Sequence, residues 1–459
     1  MFDLSLVEAH RFRPFELVSP GFVADDLEVP PADLGSAAAA GGAGLTLSEH
    51  TPAAPFAAVV GKVTEGAAGV VELGLAGSSG DAVLARHDRA SGALRIVVRC
   101  GETVHHVAAR RVDTTEVAEL AFVLCENQVT VLGRGAGAWR ALLTDRDGVG
   151  EVVDLRVPDT LTSFRYAWGG PLRAVRSGLF GMAGVRDPHL VQHADGPPYV
   201  RDGKAYLTAS CAGLGFFRQA HWGVFTLDLA SPTELVPVGK LFTRRDGLLL
   251  GDHAGQVVRD DAGERWLVAT SSWGDFAVDP AGRSVHVRHL TTTDDVLHGV
   301  HVLETEPTPL PTEHGAWDPG MTLVDGRWHV SFVESPSQEP FDFHPALAVA
   351  AAGGAWTDGL ELVGSATGLH QCEGPVIAEV EGRQWLLASD GDDRHYPVFD
   401  LAMRRVGRLD APYPTNIPHP TLVPLPEGGH LMVTFDGTPF HEEVLGYGGH
   451  GDVVVMRSR

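Results

Sequence analysis

Five polar residues open five copies of one sequence unit in the C-terminal part of the chain. They are Asp187, Asp252, Asp318, Glu373 and His419. Four of the five are carboxylic acids, and acids that lie close together raise one another's pKa values at an electrostatic cost. Two carboxyl groups with separated pKa values are what acid/base hydrolysis of a glycosidic bond requires. These five residues are therefore the first candidates for a reactive site.

The unit that carries each polar residue has the pattern of a β-hairpin. An apolar run follows the polar residue, then a turn such as Asp325-Gly326 or Glu381-Gly382, then a second apolar run. The polar residues are spaced by 65, 66, 55 and 46 positions. Strand-built repeats of this length indicate propeller blades, whose first strands run along the central axis. We therefore predict a five-bladed β-propeller catalytic domain over residues 169–459, with the five residues in one ring around an axial funnel.

The N-terminal part has a different pattern. Short apolar runs alternate with turns between residues 55 and 144, at intervals of about 8–12 residues and without helical periodicity. This predicts an antiparallel β-sandwich accessory domain over residues 1–168, and its pattern resembles the concanavalin/laminin-G jelly roll. A packing or lid role is expected for this domain, and a lectin role stays open. Both domains are expected to be all-β.

Composition narrows the class of partner. The chain has 459 residues, 44% of them hydrophobic, and a formal net charge of −24. Such a charge argues against binding to nucleic acid or to an anionic membrane, whereas a small neutral carbohydrate is accommodated easily. The four cysteines have neither metal-binding nor disulfide-framework spacing. The first residues do not have the pattern of a signal peptide, so we expect a cytoplasmic protein unless a leader has been removed. The oligomeric state stays open.

Three motifs in order resemble glycoside hydrolase family 43, whose members are five-bladed propeller enzymes acting on arabinofuranosides, xylosides and similar sugars. The motifs are Arg186-Asp187-Pro188, Trp317-Asp318-Pro319 and Cys372-Glu373-Gly374-Pro375, and the resemblance spans residues 172–459. It implies that Asp187 is the general base, that Glu373 is the general acid, and that Asp318 positions Glu373 and keeps its pKa raised. It also implies that His419 lies near an axial water or metal. No cofactor is then required, and a calcium or sodium ion at the axis stays open.

The chain also departs from that family pattern. Asp252-His253-Ala254 stands where the family has Trp-Ala-Pro in the second blade, which predicts an additional acid in the pocket. The sandwich precedes the propeller, whereas in many members it follows. Each candidate also has a structural explanation: a turn or an arginine partner for Asp252, loop hydrogen bonds for the histidines, and core packing for the tryptophans. The predicted substrate-binding residues are Arg186, Asp252, His253, Trp273, Trp317, His370 and His419.

The function predicted from these features is an inverting glycoside hydrolase acting on a small furanoside or pyranoside. Asp187 and Glu373 stand on the first and fourth predicted blades, which favours the wide separation that inversion requires. One alternative is a retaining enzyme of the sucrose/fructan type, families 32 and 68, with Asp187 as the nucleophile. Another is a propeller repurposed for a biosynthetic pathway or for sugar binding alone.

Overall fold

The computed structural model describes residues 2–19, 27–29, 44–113, 117–278, 282–415, 417–437 and 451–459. Within these residues the chain is nearly all β, as predicted. The α-helices found there are α1 (Gly148–Val152) and α2 (Pro158–Thr162), and residues Phe217–Gln219 form a short 3-10 turn. None of the helices in the described ranges is long or apolar enough to cross a membrane.

Two antiparallel sheets occupy the first part of the chain. One has the strand order β12-β11-β10-β5-β14-β2, with β3 beside β14, and the other has the order β4-β13-β6-β7-β8-β9. The strands up to residue 182 are β1 (Leu6–Phe12), β2 (Glu16–Val18), β3 (Leu27–Val29), β4 (Thr46–Leu47), β5 (Phe56–Val63), β6 (Val70–Gly77), β7 (Ala82–Asp88), β8 (Ala93–Cys100), β9 (Thr103–Arg111), β10 (Glu119–Cys125), β11 (Gln128–Arg134), β12 (Arg140–Asp145), β13 (Phe164–Gly169) and β14 (Leu172–Met182).

Strand β5 shows why these runs are continuously apolar. Its alternate residues face two different cores, because successive side chains of a strand point to opposite sides. Ala57 and Val59 belong to the core that the two N-terminal sheets share. Phe56 and Ala58 belong to a second core, which joins this sheet to Phe242 in the C-terminal part. The N-terminal sheets are thus packed firmly against the rest of the molecule.

Five further sheets follow along the chain. Their orders are β15-β18-β19-β20-β21, β16-β22-β23-β24-β26, β27-β28-β29-β30, β31-β32-β33-β34 and β35-β36-β37-β1, with β17 and β25 at the edges of the first. The remaining strands are β15 (Val185–Leu190), β16 (Gln192–His193), β17 (Val200–Arg201), β18 (Lys204–Cys211), β19 (His221–Asp228), β20 (Leu235–Arg245), β21 (Leu248–Leu250), β22 (His253–Asp260), β23 (Arg265–Ser271), β24 (Val287–Thr292), β25 (Gly299–Glu304), β26 (Glu306–Pro307), β27 (Gly315–Val324), β28 (Arg327–Gln338), β29 (Phe341–Val349), β30 (Glu361–Ser365), β31 (Cys372–Val380), β32 (Arg383–Asp390), β33 (Tyr396–Phe399), β34 (Arg405–Leu409), β35 (Thr421–Pro424), β36 (His430–Asp436) and β37 (Asp452–Ser458).

The cores between these five sheets form a closed cycle. Each sheet shares a hydrophobic cluster with the next, and the fifth shares one with the first. Members of these clusters are Val224 with Val257, Val258 with Phe332, Leu347 with Ile377, Leu387 with Met432, and Val433 with Leu207. The first strands β15, β22, β27 and β31 contact one another in that order, and β15 also contacts β35. Their N-terminal ends are therefore brought into one neighbourhood.

Two strands cross the boundary that the sequence predicts at residues 168 and 169. Strand β14 lies beyond that boundary but pairs with β5 in an N-terminal sheet. Strand β1 precedes it but pairs with β37, so the beginning of the chain forms the outer strand of the last sheet. Sheet pairing thus assigns residues 172–182 to the N-terminal part and residues 6–12 to the C-terminal part. Where an independent folding unit begins stays a prediction.

Candidate active site

A β-bulge recurs in the first strand of four of the five sheets. The pairing register shifts between Arg186 and His189, His253 and Gln256, Trp317 and Gly320, and Glu373 and Val376. In each bulge one residue has a left-handed backbone: Asp187 (φ 49°), Ala254 (φ 55°), Asp318 (φ 50°) and Gly374 (φ 65°). Bulges of this kind redirect side chains, often beside active sites. Here they turn the side chains of Asp187 and Asp318 toward a common cavity.

This register corrects the predicted ring of equivalent residues. Asp187 and Asp318 are equivalent, as predicted, but the equivalent residue of the second sheet is Ala254 and that of the fourth is Gly374. The predicted members Asp252 and Glu373 lie two positions and one position earlier. Because a bulge adds one residue to one strand only, apolar alternation in the sequence does not reveal the offset.

The redirected acids line a cavity of about 270 Å³. Seven of the ten predicted site residues line it, and they are Arg186, Asp187, Trp273, Trp317, Asp318, Glu373 and His419. The other lining residues are Phe217, Ala254, Phe341, Phe343, Gln371, Thr415 and Ile417. Trp273 and Trp317 have ring centroids 5.3 Å apart, and Trp317 and Phe343 have centroids 5.5 Å apart. Within the described residues the cavity therefore combines three carboxyl groups with an aromatic wall.

Glu373 has the environment of a carboxylic acid that stays protonated near neutral pH. Burial raises its pKa to about 7, the negative charge of Asp187 adds to the rise, and the indole of Trp317 and the charge of Arg186 oppose it. The Trp317 Nε1–H donates a hydrogen bond of 3.0 Å to Glu373 Oε2. Its side chain is thus oriented by a neighbour while its proton remains available for transfer.

The pKa of Asp187 is shifted in the opposite direction, to a value below the ordinary one. Burial favours its neutral form, but electrostatic attraction to the nearby His419, Arg186 and His253 outweighs that effect and lowers the pKa of its carboxyl. A hydrogen bond from Ser210 contributes to the same lowering. The Arg186 guanidinium lies 4.8 Å from the centre of the Phe435 ring, which fixes one source of this attraction beside the cavity. Asp187 is therefore the ionised carboxylate of the site.

Asp318 interacts electrostatically with both of these acids and contacts the backbone next to Glu373. The Gly374 N–H donates to Asp318 Oδ2 at 3.1 Å, and the Asp318 N–H donates to Ser271 Oγ at 2.9 Å. Burial and the charges of Glu373 and Asp187 raise the pKa of Asp318 well above its ordinary value. The contact agrees with a positioning role, and repulsion between the Asp318 and Glu373 carboxyls disfavours the ionisation of both at once.

The His419 imidazole lies close to both Asp187 and Asp318. Its Nε2 lies 3.5 Å from Asp318 Oδ2 and 3.7 Å from Asp187 Oδ1. A Cβ at residue 374 would lie 2.5 Å from the His419 ring, so only glycine permits this close approach. The left-handed backbone of Gly374 favours glycine for a second reason. The glycine of the Glu-Gly-Pro motif thus lets the backbone next to Glu373 pack closely against the His419 ring.

Asp252 does not line the cavity, and the prediction of an additional acid there is wrong. Arg245 binds both of its oxygens, with Nε to Oδ2 at 2.7 Å and Nη2 to Oδ1 at 2.9 Å. Thr243 and the Gly274 N–H complete its shell. Burial alone would raise the pKa of Asp252, but the charge and hydrogen bonds of Arg245 lower it. Asp252 is therefore a structural partner of Arg245, which is one of the two structural explanations that the sequence leaves open for it.

The two remaining predicted histidines also lie outside the cavity wall. His253 is buried behind it, with Nδ1 2.9 Å from Ser210 Oγ and Nε2 3.1 Å from the carbonyl of Phe217. Burial lowers its pKa, and its two hydrogen bonds hold it behind the wall. His370 has an exposed side chain beside Asp342, at 3.1 Å. Its neighbour Gln371 lines the cavity instead.

The aromatic residues that the sequence analysis did not find come from segments outside the repeated unit. Phe217 lies in the turn after β18, and its ring stacks on Trp273 with centroids 4.7 Å apart. Phe341 and Phe343 lie at the start of β29. The available signal in the sequence was the clustering of Phe216-Phe217 and of Phe341-Asp342-Phe343, because apolar residues that cluster at a surface mark binding sites.

One group of described residues has atoms spaced like metal ligands, and it lies away from the cavity. Ligand atoms of Asp390, Asp393 and His395 all lie within 4.8 Å of one another. An Arg405 nitrogen contacts His395 Nε2 at 2.5 Å, which directs the imidazole's other nitrogen toward Asp390 as a donor. A protonated nitrogen does not bind a metal, and we assign this group no role.

Comparisons with known proteins add a likeness of architecture. No protein-family model and no curated protein matches the chain. Similar solved structures include a family 43 β-xylosidase/α-arabinofuranosidase from a compost metagenome, in complex with xylotriose and in a calcium-free form (13% identity, 60% of this chain and 94% of that one, TM-score 0.40). They include an α-L-arabinofuranosidase from Lactobacillus brevis (14%, 60% and 90%, 0.43). An inulosucrase from Halalkalicoccus jeotgali bound to kestose is also similar (15%, 55% and 76%, 0.42). At these identities and TM-scores the likeness carries no functional argument, and the site itself must supply one.

Proposed function

We propose that this chain is a glycoside hydrolase that cleaves a small furanoside or pyranoside, of the arabinofuranoside or xyloside kind, with inversion. One observation carries the proposal. In a single aromatic-walled cavity, the pKa of Asp187 is lowered while that of Glu373 is raised to about 7. Two carboxyl groups whose environments separate their pKa values can act as the base and the acid of one hydrolysis.

The proposed mechanism assigns one proton transfer to each acid. The Asp187 carboxylate takes a proton from water as that water attacks the anomeric carbon. Glu373 gives its proton to the glycosidic oxygen as the bond to the leaving group breaks. Asp187 ends protonated and Glu373 ends ionised, and exchange with solvent restores both. The aromatic wall of Trp273, Trp317 and Phe343 would hold the face of the sugar ring.

The proposed architecture supports this division of roles. We infer that the five C-terminal sheets are the blades of a five-bladed propeller, because their cores form a closed cycle and their first strands contact one another. The two N-terminal sheets, which share a core, would be the accessory sandwich. Asp187 and Glu373 then approach the substrate from the first and the fourth blade.

An axial ion is not needed for this chemistry. Calcium prefers six to eight oxygen ligands. Around His419 the described residues offer one imidazole nitrogen and the carboxylates of Asp187 and Asp318, both of which have other roles in the proposal. This donor set does not fit calcium, and no step depends on an ion.

The test compares substrates with good and poor leaving groups. Purified wild type, Glu373→Gln, Asp187→Asn and the exposed Glu379→Gln control on the same strand would be assayed on 4-nitrophenyl α-L-arabinofuranoside and β-D-xyloside. The matching arabino- and xylo-oligosaccharides would be assayed in parallel. We expect Glu373→Gln to lose about 10²–10⁴-fold in rate on oligosaccharides and much less on the nitrophenyl substrates, which leave without a proton.

The other two variants complete the assignment. Asp187→Asn should lose activity on both kinds of substrate, because its role is at the water, and Glu379→Gln should match wild type. Wild-type activity of Glu373→Gln on an oligosaccharide would refute its role as the acid. Rescue of Asp187→Asn, but not of Glu373→Gln, by nitrophenyl glycosides would show that the two roles are reversed.

A further inference from the structure

A second, larger cavity adjoins the one that holds the acids. Its volume is about 710 Å³, compared with about 270 Å³ for the acid-lined cavity. One side is formed by the N-terminal part, with Glu126 at the turn between β10 and β11, Arg146 before α1, and Glu151. The opposite side is the Phe216–Gln219 segment together with Phe276. Neither part of the molecule forms this groove alone.

Phe217 joins the two cavities, because it lines both of them. Its ring stacks on Trp273 on one side, with centroids 4.7 Å apart, and on Phe276 on the other, with centroids 5.7 Å apart. Phe216 continues the row, with its centroid 4.2 Å from that of Phe217 and 52% of its surface exposed. A row of aromatic rings therefore runs from the acids into the larger groove.

The polar lining of the groove suits an uncharged ligand that has many hydroxyl groups. Arg146 and Arg218 face it with donors, and Asp147 and Glu151 face it with acceptors, so neither sign of charge dominates. Glu126 is 3% exposed, and its Oε1 is buried without a hydrogen-bond partner among the described residues. A buried polar atom of this kind is costly unless a ligand or water satisfies it.

We propose that this groove binds the leaving-group side of the substrate, and that it takes a neutral oligosaccharide portion of two or more sugar units. The N-terminal sheets would then be a part of the substrate site and not only a packing domain. The inference rests on the proposed hydrolase function for its direction: the sugar that is released from Glu373's side of the bond lies against Phe217 and extends along Phe216 toward Arg146.

The test separates contacts to the leaving group from chemistry at the acids. For each sugar series, kcat/KM would be measured on a trisaccharide (1,5-α-L-arabinotriose, xylotriose or kestose) and on the glycosyl fluoride of the same terminal sugar. The fluoride has no leaving-group ring, so it cannot use the groove. The ratio of the two kcat/KM values measures how much the groove contributes to the reaction of the trisaccharide. It would be determined for wild type, Phe216→Ala, Arg146→Ala and Leu362→Ala, which is an exposed apolar control on β30.

We expect the ratio to fall about 2- to 10-fold in Phe216→Ala, as loss of one stacking contact implies. It should also fall in Arg146→Ala, which lies on the N-terminal side, and it should not change in Leu362→Ala. An unchanged ratio in both groove variants would overturn the inference while the hydrolase assignment stands. Equal losses on fluoride and trisaccharide would overturn it too, since they would indicate damage at the acids.

A separate outcome would concern the proposed function. If wild type cleaves neither fluorides nor trisaccharides, the hydrolase assignment fails, and the groove is tested by calorimetric titration with the same three trisaccharides. Binding that is weakened by Phe216→Ala and Arg146→Ala, but not by Leu362→Ala, would support the groove as a saccharide site. Absence of binding to all three would refute it.

Discussion

Replacing Glu373 with glutamine tests the central electrostatic claim without any knowledge of the substrate. The wild-type carboxyl must lose its proton inside the cavity as the pH rises, whereas the amide of the variant stays neutral. Glutamine also keeps an oxygen that can accept the hydrogen bond from Trp317 Nε1. The pH dependence of stability should therefore differ between the two proteins, and the fold should not.

The expected difference follows from the raised pKa. In the unfolded chain Glu373 ionises near its ordinary value of 4.5, and in the folded protein near 7. A group whose folded pKa is raised contributes its stability at low pH and loses it as the pH rises through the folded value. Between pH 5 and pH 8.5 the wild type should therefore lose about 2–3 kcal/mol relative to Glu373→Gln. Residual solvent in the cavity would make the loss smaller.

Denaturant unfolding at pH 5 and pH 8.5, for wild type, Glu373→Gln and Glu379→Gln, provides the measurement. The last variant removes a carboxyl from an exposed position of the same strand, so its pH dependence should follow that of the wild type. If Glu373→Gln and wild type keep the same difference in unfolding free energy at both pH values, Glu373 is not held protonated by burial. The assignment of the general acid would then lose its basis.

Four further expectations concern Glu373, Asp187 and Asp252. The kcat/KM of wild type should fall as the pH rises through about 7, because Glu373 must be protonated; an alkaline limb that persists in Glu373→Gln would assign it to another group. The acidic limb should lie below the ordinary range of aspartate, because the pKa of Asp187 is lowered. Asp252→Asn should destabilise the fold by about 1–3 kcal/mol, because it weakens a buried ion pair while Asp275 still pairs with Arg245. It should not alter the preference between leaving groups. Asp325→Asn, in an exposed turn, is its control, and a specific loss of activity at unchanged melting temperature would contradict this. Proton NMR of the first-formed sugar should show inversion, and a product with the anomeric configuration of the substrate would make Asp187 a nucleophile.

Much of the candidate site could be predicted because short local motifs contain its acidic residues. Asp-Pro at residues 187 and 318 and Glu-Gly-Pro at 373 mark the beginning of a first strand, and the recurrence of the hairpin predicts that these beginnings meet. Local motifs cannot report partners that are distant in the chain. The Phe217 wall and the closure of the last sheet by β1 both depend on such partners.

The bulge explains both the successful and the failed part of the predicted ring. A left-handed residue at this point costs little for aspartate or glycine, which adopt that conformation more readily than most residues. In the second sheet the position is taken by Ala254, which is buried beside Trp273 and Trp317. An acid there would add a fourth carboxyl to the cavity, and its charge would raise the pKa of Asp187 along with the others. Because Ala254 adds no charge to the three carboxyls that the described residues place in the cavity, Asp187 can remain ionised while Glu373 keeps a proton. The separation of the two pKa values thus depends on the uncharged residue at this bulge as well as on the acids themselves.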